Sequence, residues 1–119
     1  MNDQFIFDKA YSLLKTIGVK IYTYKQMNDV GYPFIEMGNM DTDRLATKSG
    51  SLQTINLSID IWGLAQNRRE LTNIKSSVID ILAKNFQVKE SKIEDRILTD
   101  TSTTDVLLHG ILVVPIYLN

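Results

Sequence analysis

Two stretches of the chain repeat apolar residues at helical spacing, and one other alternates at strand spacing. Between residues 3 and 17, Ile6, Ala10, Leu13, Leu14 and Ile17 recur three or four apart, so they line one face of a helix. Asn2 or Asp3 can cap its start, and Gly18 can end it in a left-handed conformation. The second stripe is Leu71, Ile74, Val78, Ile81, Leu82 and Phe86. Asn67 with Glu70 three residues later has the spacing of a capping box, so this helix is expected to start there.

The clearest strand is Thr54 to Trp62. Ile55, Leu57, Ile59 and Ile61 alternate with Thr54, Asn56, Ser58 and Asp60, which places one face on a core and the other toward something polar. Gly63 is expected to release the chain from it. VKIYTY (19–24) is β-branched and aromatic and predicts a strand, followed by turn chemistry in KQMNDVGYP. Phe34 to Met40 predicts another. DTDRLATKSGS (41–51) is polar with few strong structure-formers and is expected to be a hairpin loop. IEDRILTD (93–100) predicts a short strand, TSTTD a loop, and VLLHGILVVPIYL a long final strand. Pro115 has no amide to donate, so it belongs at an edge or bulge near that strand's end. The order α-β-β-β-α-β-β predicts an α+β fold. Its antiparallel or mixed sheet of four to five strands carries two amphipathic helices packed on one face.

The final strand is apolar on both sides. Leu107, Ile111 and Val113 share one face, and Val106, Leu108, Leu112, Val114, Ile116 and Leu118 the other. Helices on one side leave the second face bare, and exposed apolar area forfeits about 25 cal/mol per Å². The 41–51 segment folding back, the sheet curling on itself, or another subunit could cover it.

Composition changes this picture little. The 119 residues are 44% hydrophobic and 23% charged, enough for one domain (1–119) with its own core. Thirteen basic residues against fourteen acidic ones argue against an electrostatic nucleic-acid or membrane binder. The absence of cysteine excludes disulfides and thiol chemistry. The N-terminal residues carry acids where a signal peptide has bases, so a soluble, cytoplasmically made chain is expected.

Candidate chemistry is sparse. His109 is the sole histidine, flanked by aliphatic residues, and reads as a packed or interface residue. Asp41 and Asp43 have the spacing of a carboxylate pair for a hard cation, but Arg44 and Lys48 are near enough to neutralise them. Glu94, Asp95, Asp100 and Asp105 are interrupted by Arg96 and carry no specific signal. Arg68 and Arg69 open the second helix, where anions are favoured, yet lack a wider basic patch. Trp62 at a strand end plugs a core edge or an interface. No phosphate loop, dinucleotide fingerprint, nucleophile elbow or zinc spacing is present. No catalytic residue, metal site or cofactor is therefore expected.

INLSIDIWG, the following RRELTNIKSSVIDIL helix and the terminal HGILVVPIYL, with IYTY and YPFIEMGNM before them, resemble the small tail terminator or tail completion proteins of long-tailed bacteriophages and prophages. That resemblance implies an α+β subunit that assembles as a ring, commonly hexameric, and does no covalent chemistry. The ring caps the finished tail tube, stops its polymerisation and presents a docking surface to the head connector. Its partners are then further copies of itself, the major tail tube protein and the connector or head-completion protein. DNA only passes through the lumen, which a non-basic wall would suit. The place implied is the head-proximal end of the virion tail, after assembly in the host cytoplasm. Within this reading Trp62, Arg68, Arg69, Leu108, His109, Leu112 and Val114 are candidate interface residues, and Asp41, Asp43, Arg44 and Lys48 form a candidate docking loop. A head-completion adaptor, a small cytoplasmic enzyme or ligand-binding domain, and a nucleic-acid adaptor are the rivals.

Overall fold

The apolar stripes and alternations fold into two layers. In the computed structural model, which describes residues 3–23, 31–47 and 50–118, a five-stranded sheet carries both helices on one face. The elements are α1 (Asp3–Leu14), β1 (Lys20–Tyr22), β2 (Phe34–Thr47), β3 (Gly50–Leu64), α2 (Arg68–Asn85), β4 (Glu94–Asp100) and β5 (Leu107–Leu118). Strand order is β1-β2-β3-β5-β4, with β1 parallel to β2 and the remaining neighbours antiparallel. The fold is thus α+β with a mixed sheet, in the predicted element order.

The helices form where the periodicity places them. Ile6, Ala10 and Leu14 of α1, and Leu71, Ile74, Val78 and Leu82 of α2, are buried on a single core. That core includes the odd-numbered face of β3 (Ile55, Leu57, Ile59, Ile61) and the even-numbered face of β5. Gly18 closes the 3₁₀ turn after α1 at φ 87°, the left-handed cap its position suggests. At the other end, the Asp3 carboxylate accepts the Gln4 amide at 3.0 Å. Asn2 and residues 24–30, which include Tyr24 and most of the expected turn, lie outside the described residues.

Three expectations need correction. Residues 41–47 and 50–51 are not a loop: they belong to β2 and β3, which pair from Phe34↔Trp62 out to Thr47↔Gly50, with a bulge between Met37 and Met40. The segment that was to be a loop is therefore a projecting hairpin arm. Among residues 41–45 and 52–54 no side chain is fully buried, because the helices do not reach that far. Gly63 does not release the strand either. β3 continues to Leu64, with Gly63 paired to Leu108 and Leu64 to Leu107. Finally, the Asn67 side chain makes no cap hydrogen bond. The chain enters α2 through a 3₁₀ turn at Ala65–Asn67, tied down by the Ala65 amide donating to the Val106 carbonyl at 3.0 Å. That turn's own carbonyls can take the first helical amides, so a side-chain cap is dispensable.

Pro115 sits as its chemistry demands. β4 pairs with β5 only as far as Val113, so the outer side of β5 is bare of β4 from there on. The Tyr117 amide points to that outer side, donating to the Gln87 carbonyl at 2.9 Å. Pro115, two residues earlier, shares this orientation, and no ladder bond is lost where its amide hydrogen is missing.

Candidate interaction surface

Strand alternation puts a second set of side chains on the face away from the helices, and register determines which of them meet. The row Phe34↔Trp62↔His109↔Leu98 crosses four strands. Trp62 and His109 stack with ring centroids 3.8 Å apart and planes within 11°. Phe34 stacks between Trp62 (6.5 Å) and Tyr32 (5.6 Å), while Tyr22 meets it edge-on at 5.7 Å. Phe34 is fully buried and Leu107 is 2% exposed, yet neither belongs to the core beneath the helices. The helix-free face therefore has a small apolar floor of its own at the end where β1 joins the sheet. This aromatic row covers that end of the face in place of the fold-back that had been one expectation for 41–51.

Asp60, two positions before Trp62, lies diagonally across from His109, and His109 Nε2 and Asp60 Oδ1 are 2.7 Å apart. Both side chains keep some exposure, 21% for His109 and 26% for Asp60. The contact orients the imidazole and holds it flat on Trp62. No nucleophile joins the pair in hydrogen-bond reach among the described residues, so the arrangement serves packing and recognition better than acid–base chemistry. His109 is thus packed on Trp62 and stays partly exposed on the helix-free face.

Toward the hairpin arm the same face becomes acidic. Asp41 and Asp43 stand side by side opposite Asn56, whose Nδ2 donates to Asp41 Oδ1 at 2.7 Å and to Asp43 Oδ2 at 2.9 Å. An amide thus supplies the positive charge density that a cation would. Among the described residues no group of three or more His, Asp or Glu is placed to hold a metal. Arg44 is on the opposite face of β2 by alternation and does not neutralise the pair. Lys48 lies outside the described residues. Asn56→Ala should leave two carboxylates adjacent with no shared donor and cost about 1 kcal/mol. The deficit should shrink in high salt as the repulsion is screened. Urea unfolding at low and high NaCl reads this out, and a variant matching the wild type at low salt would remove Asn56 from that role.

The other expected interface residues divide sharply. Leu108, Leu112 and Val114 are at most 3% exposed and packed under α2, so they are core residues with no surface to offer another chain. Even-numbered β5 positions face the helices, and the odd-numbered ones face away. Arg68 and Arg69 are exposed at the start of α2 and make no ion pair among the described residues. Trp62 and His109 are half-buried on the open face. The residues that complete this surface are Leu45, Leu52 and Leu98, exposed by 62%, 45% and 47%. Leu45 and Leu52 are cross-strand partners on the arm. Leu45 lies within the polar 41–51 stretch and Leu52 directly after it, and no apolar periodicity there singles them out.

No helix among the described residues is long and apolar enough to cross a membrane. No protein-family model matches the chain, and no curated protein matches it. Among solved structures, the chain superposes on one from the virion of a native gene transfer agent (GTA) particle with a TM-score of 0.63. The match covers 91% of this chain and 90% of that one at 14% identity. At that identity the two share a fold, from end to end of both chains.

Proposed function

We propose that the chain is a structural protein of a phage-related virion, acting as a tail terminator. Subunits assemble into a ring, expected to be a hexamer, that caps the tail tube, ends its polymerisation and receives the head connector. The observation that carries this reading is the shared fold, which spans nearly the whole of both chains and comes from a virion. Two further features support it. INLSIDIWG, RRELTNIKSSVIDIL and HGILVVPIYL resemble the terminator family. The sheet also has a face with no helix on it that bears exposed leucines, as a subunit built to be covered by neighbours would. The role is structural rather than catalytic, and the paired Asp60 and His109 then serve the packing of the open face.

Electron microscopy of the purified protein, alone and with polymerising tail-tube protein, tests the reading. Rings, or tubes of limited length with a capped end, are expected. Tubes whose length is indifferent to the protein, with no ring on their ends, would reject the terminator role. A head-completion or other head–tail joining adaptor is the alternative that the same fold likeness supports. It predicts binding to the connector with tube length unchanged.

A further inference from the structure

The charges on the two faces differ in a way that bears on how copies of the chain meet. By strand register, Glu36, Asp41, Asp43, Asp60, Glu94 and Asp100 all lie on the helix-free face; among the described residues they are set against Lys20 and Arg96 by register and Lys89, whose ammonium lies over the Tyr117 ring. Asp41, Asp43 and Glu94 are exposed, and around them stand the exposed Leu45, Leu52 and Leu98. The face is thus an apolar sheet surface with an acidic overlay. A face-to-face dimer about a two-fold axis would bury those leucines but set carboxylates against carboxylates, and like charges across an interface are strongly disfavoured.

A complementary surface exists elsewhere on the same molecule. Arg68 and Arg69 are adjacent and exposed on the first turn of α2. The helix dipole already makes that end positive, so two cations there are unfavourably placed in an isolated chain, and only Glu70 in the same turn offsets them. An acidic partner relieves that arrangement.

We infer that the chain self-associates head to tail, the acidic, leucine-bearing open sheet face of one copy receiving the Arg68–Arg69 corner of the next. Such a contact joins two different patches and so is heterologous: it propagates, and it closes into a ring when the rotation per subunit allows. The inference deepens the ring reading and rests on it only for closure. The pairing of patches is a property of the chain alone.

A charge-swap experiment tests it. Asp41→Lys/Asp43→Lys reverses the face, and Arg68→Glu/Arg69→Glu reverses the corner. All four positions are exposed, and circular dichroism checks that each variant folds. By sedimentation velocity the wild type should self-associate at sub-millimolar concentration, more weakly in high salt as the charges are screened. Each variant alone should associate at least about tenfold more weakly. Mixed one to one, the variants should recover assembly, because each lysine face meets a glutamate corner and each aspartate face an arginine corner. A misfolded variant could not give that rescue.

A wild type that remains monomeric overturns the inference. So does an Arg68→Glu/Arg69→Glu protein that associates as well as the wild type, since a two-fold contact through the open face would ignore the corner. Failure of the mixture to recover overturns it too. The terminator reading stands or falls separately on tube length. A monomer that still caps tubes would refute this contact alone, whereas an assembly by this contact with no effect on tubes would refute only the terminator role.

Discussion

Phe34→Ala should destabilise the fold by about 3–5 kcal/mol. The ring is fully buried, but not in the main core: it sits on the helix-free face, enclosed by Tyr22, Tyr32 and Trp62. Truncation removes the middle of that stack and opens a cavity where no helix can settle to fill it. The Trp62–His109 pair would lose its support on one side and the short β1 its edge-on contact, although Phe34 keeps its backbone pairing with both Lys20 and Trp62. Urea or thermal unfolding measures the effect, with a fall in Tm on the order of 10 °C or more. Phe5→Ala is the control. That ring is 50% exposed on α1, so its removal should cost a small fraction of the Phe34 value. Equal costs for the two would mean that the open face has no packed floor.

The second large effect lies on the opposite side of the same strand end. Leu71→Ala should cost about 2–5 kcal/mol. Leu71 is fully buried where the first turn of α2 comes down on the sheet. A Cβ added to Gly63 would lie 3.2 Å from Leu71 Cδ1, and one on Gly110 would lie 3.5 Å from Leu71 Cδ2. The helix therefore approaches over two residues without side chains, and the leucine fills the space they leave. Nothing at Gly63 or Gly110 can expand into the gap left by alanine, so the cost should fall in the upper part of the range. Arg69→Ala, two residues away and exposed, should change stability by no more than about 0.5 kcal/mol. An Arg69 effect as large as that of Leu71 would show that the corner is held by charge rather than by this packing.

These two sites show how much of the molecule can be read from the chain. Leu71 falls on an apolar stripe at helical period, and Ile55 to Ile61 on a period-two alternation, so both the elements and their buried sides follow from local spacing. The hairpin arm does not yield to the same method. Residues 41–47 and 50–54 are strand, yet the arm extends past the helices and neither side of it is fully buried where its side chains are described. A strand with no buried face has no reason to alternate, and its polar sequence looks like a loop. The capping-box spacing at Asn67 and Glu70 misleads for a related reason. The pattern is local, but the actual helix entry is set by the Ala65–Val106 hydrogen bond, across the sheet.

Sequence alone determined the two helices and the strands that bury a face, which side of α1, α2 and β3 is apolar, and that one face of the final strand would have no helix over it. Those are properties of neighbours a few positions apart, and the backbone periods of 3.6 and 2.0 enforce them. The tertiary structure decided which chemistry shares the open face. His109 meets Asp60 across 49 positions of sequence, and Asn56 reaches Asp41 and Asp43 across 15 and 13. Such meetings depend on the register between strands, and a slip of one residue would send each partner to the other side of the sheet. Leu108, Leu112 and Val114 went to the core and His109 stayed on the open face for the same reason: register gave α2 the even side of β5.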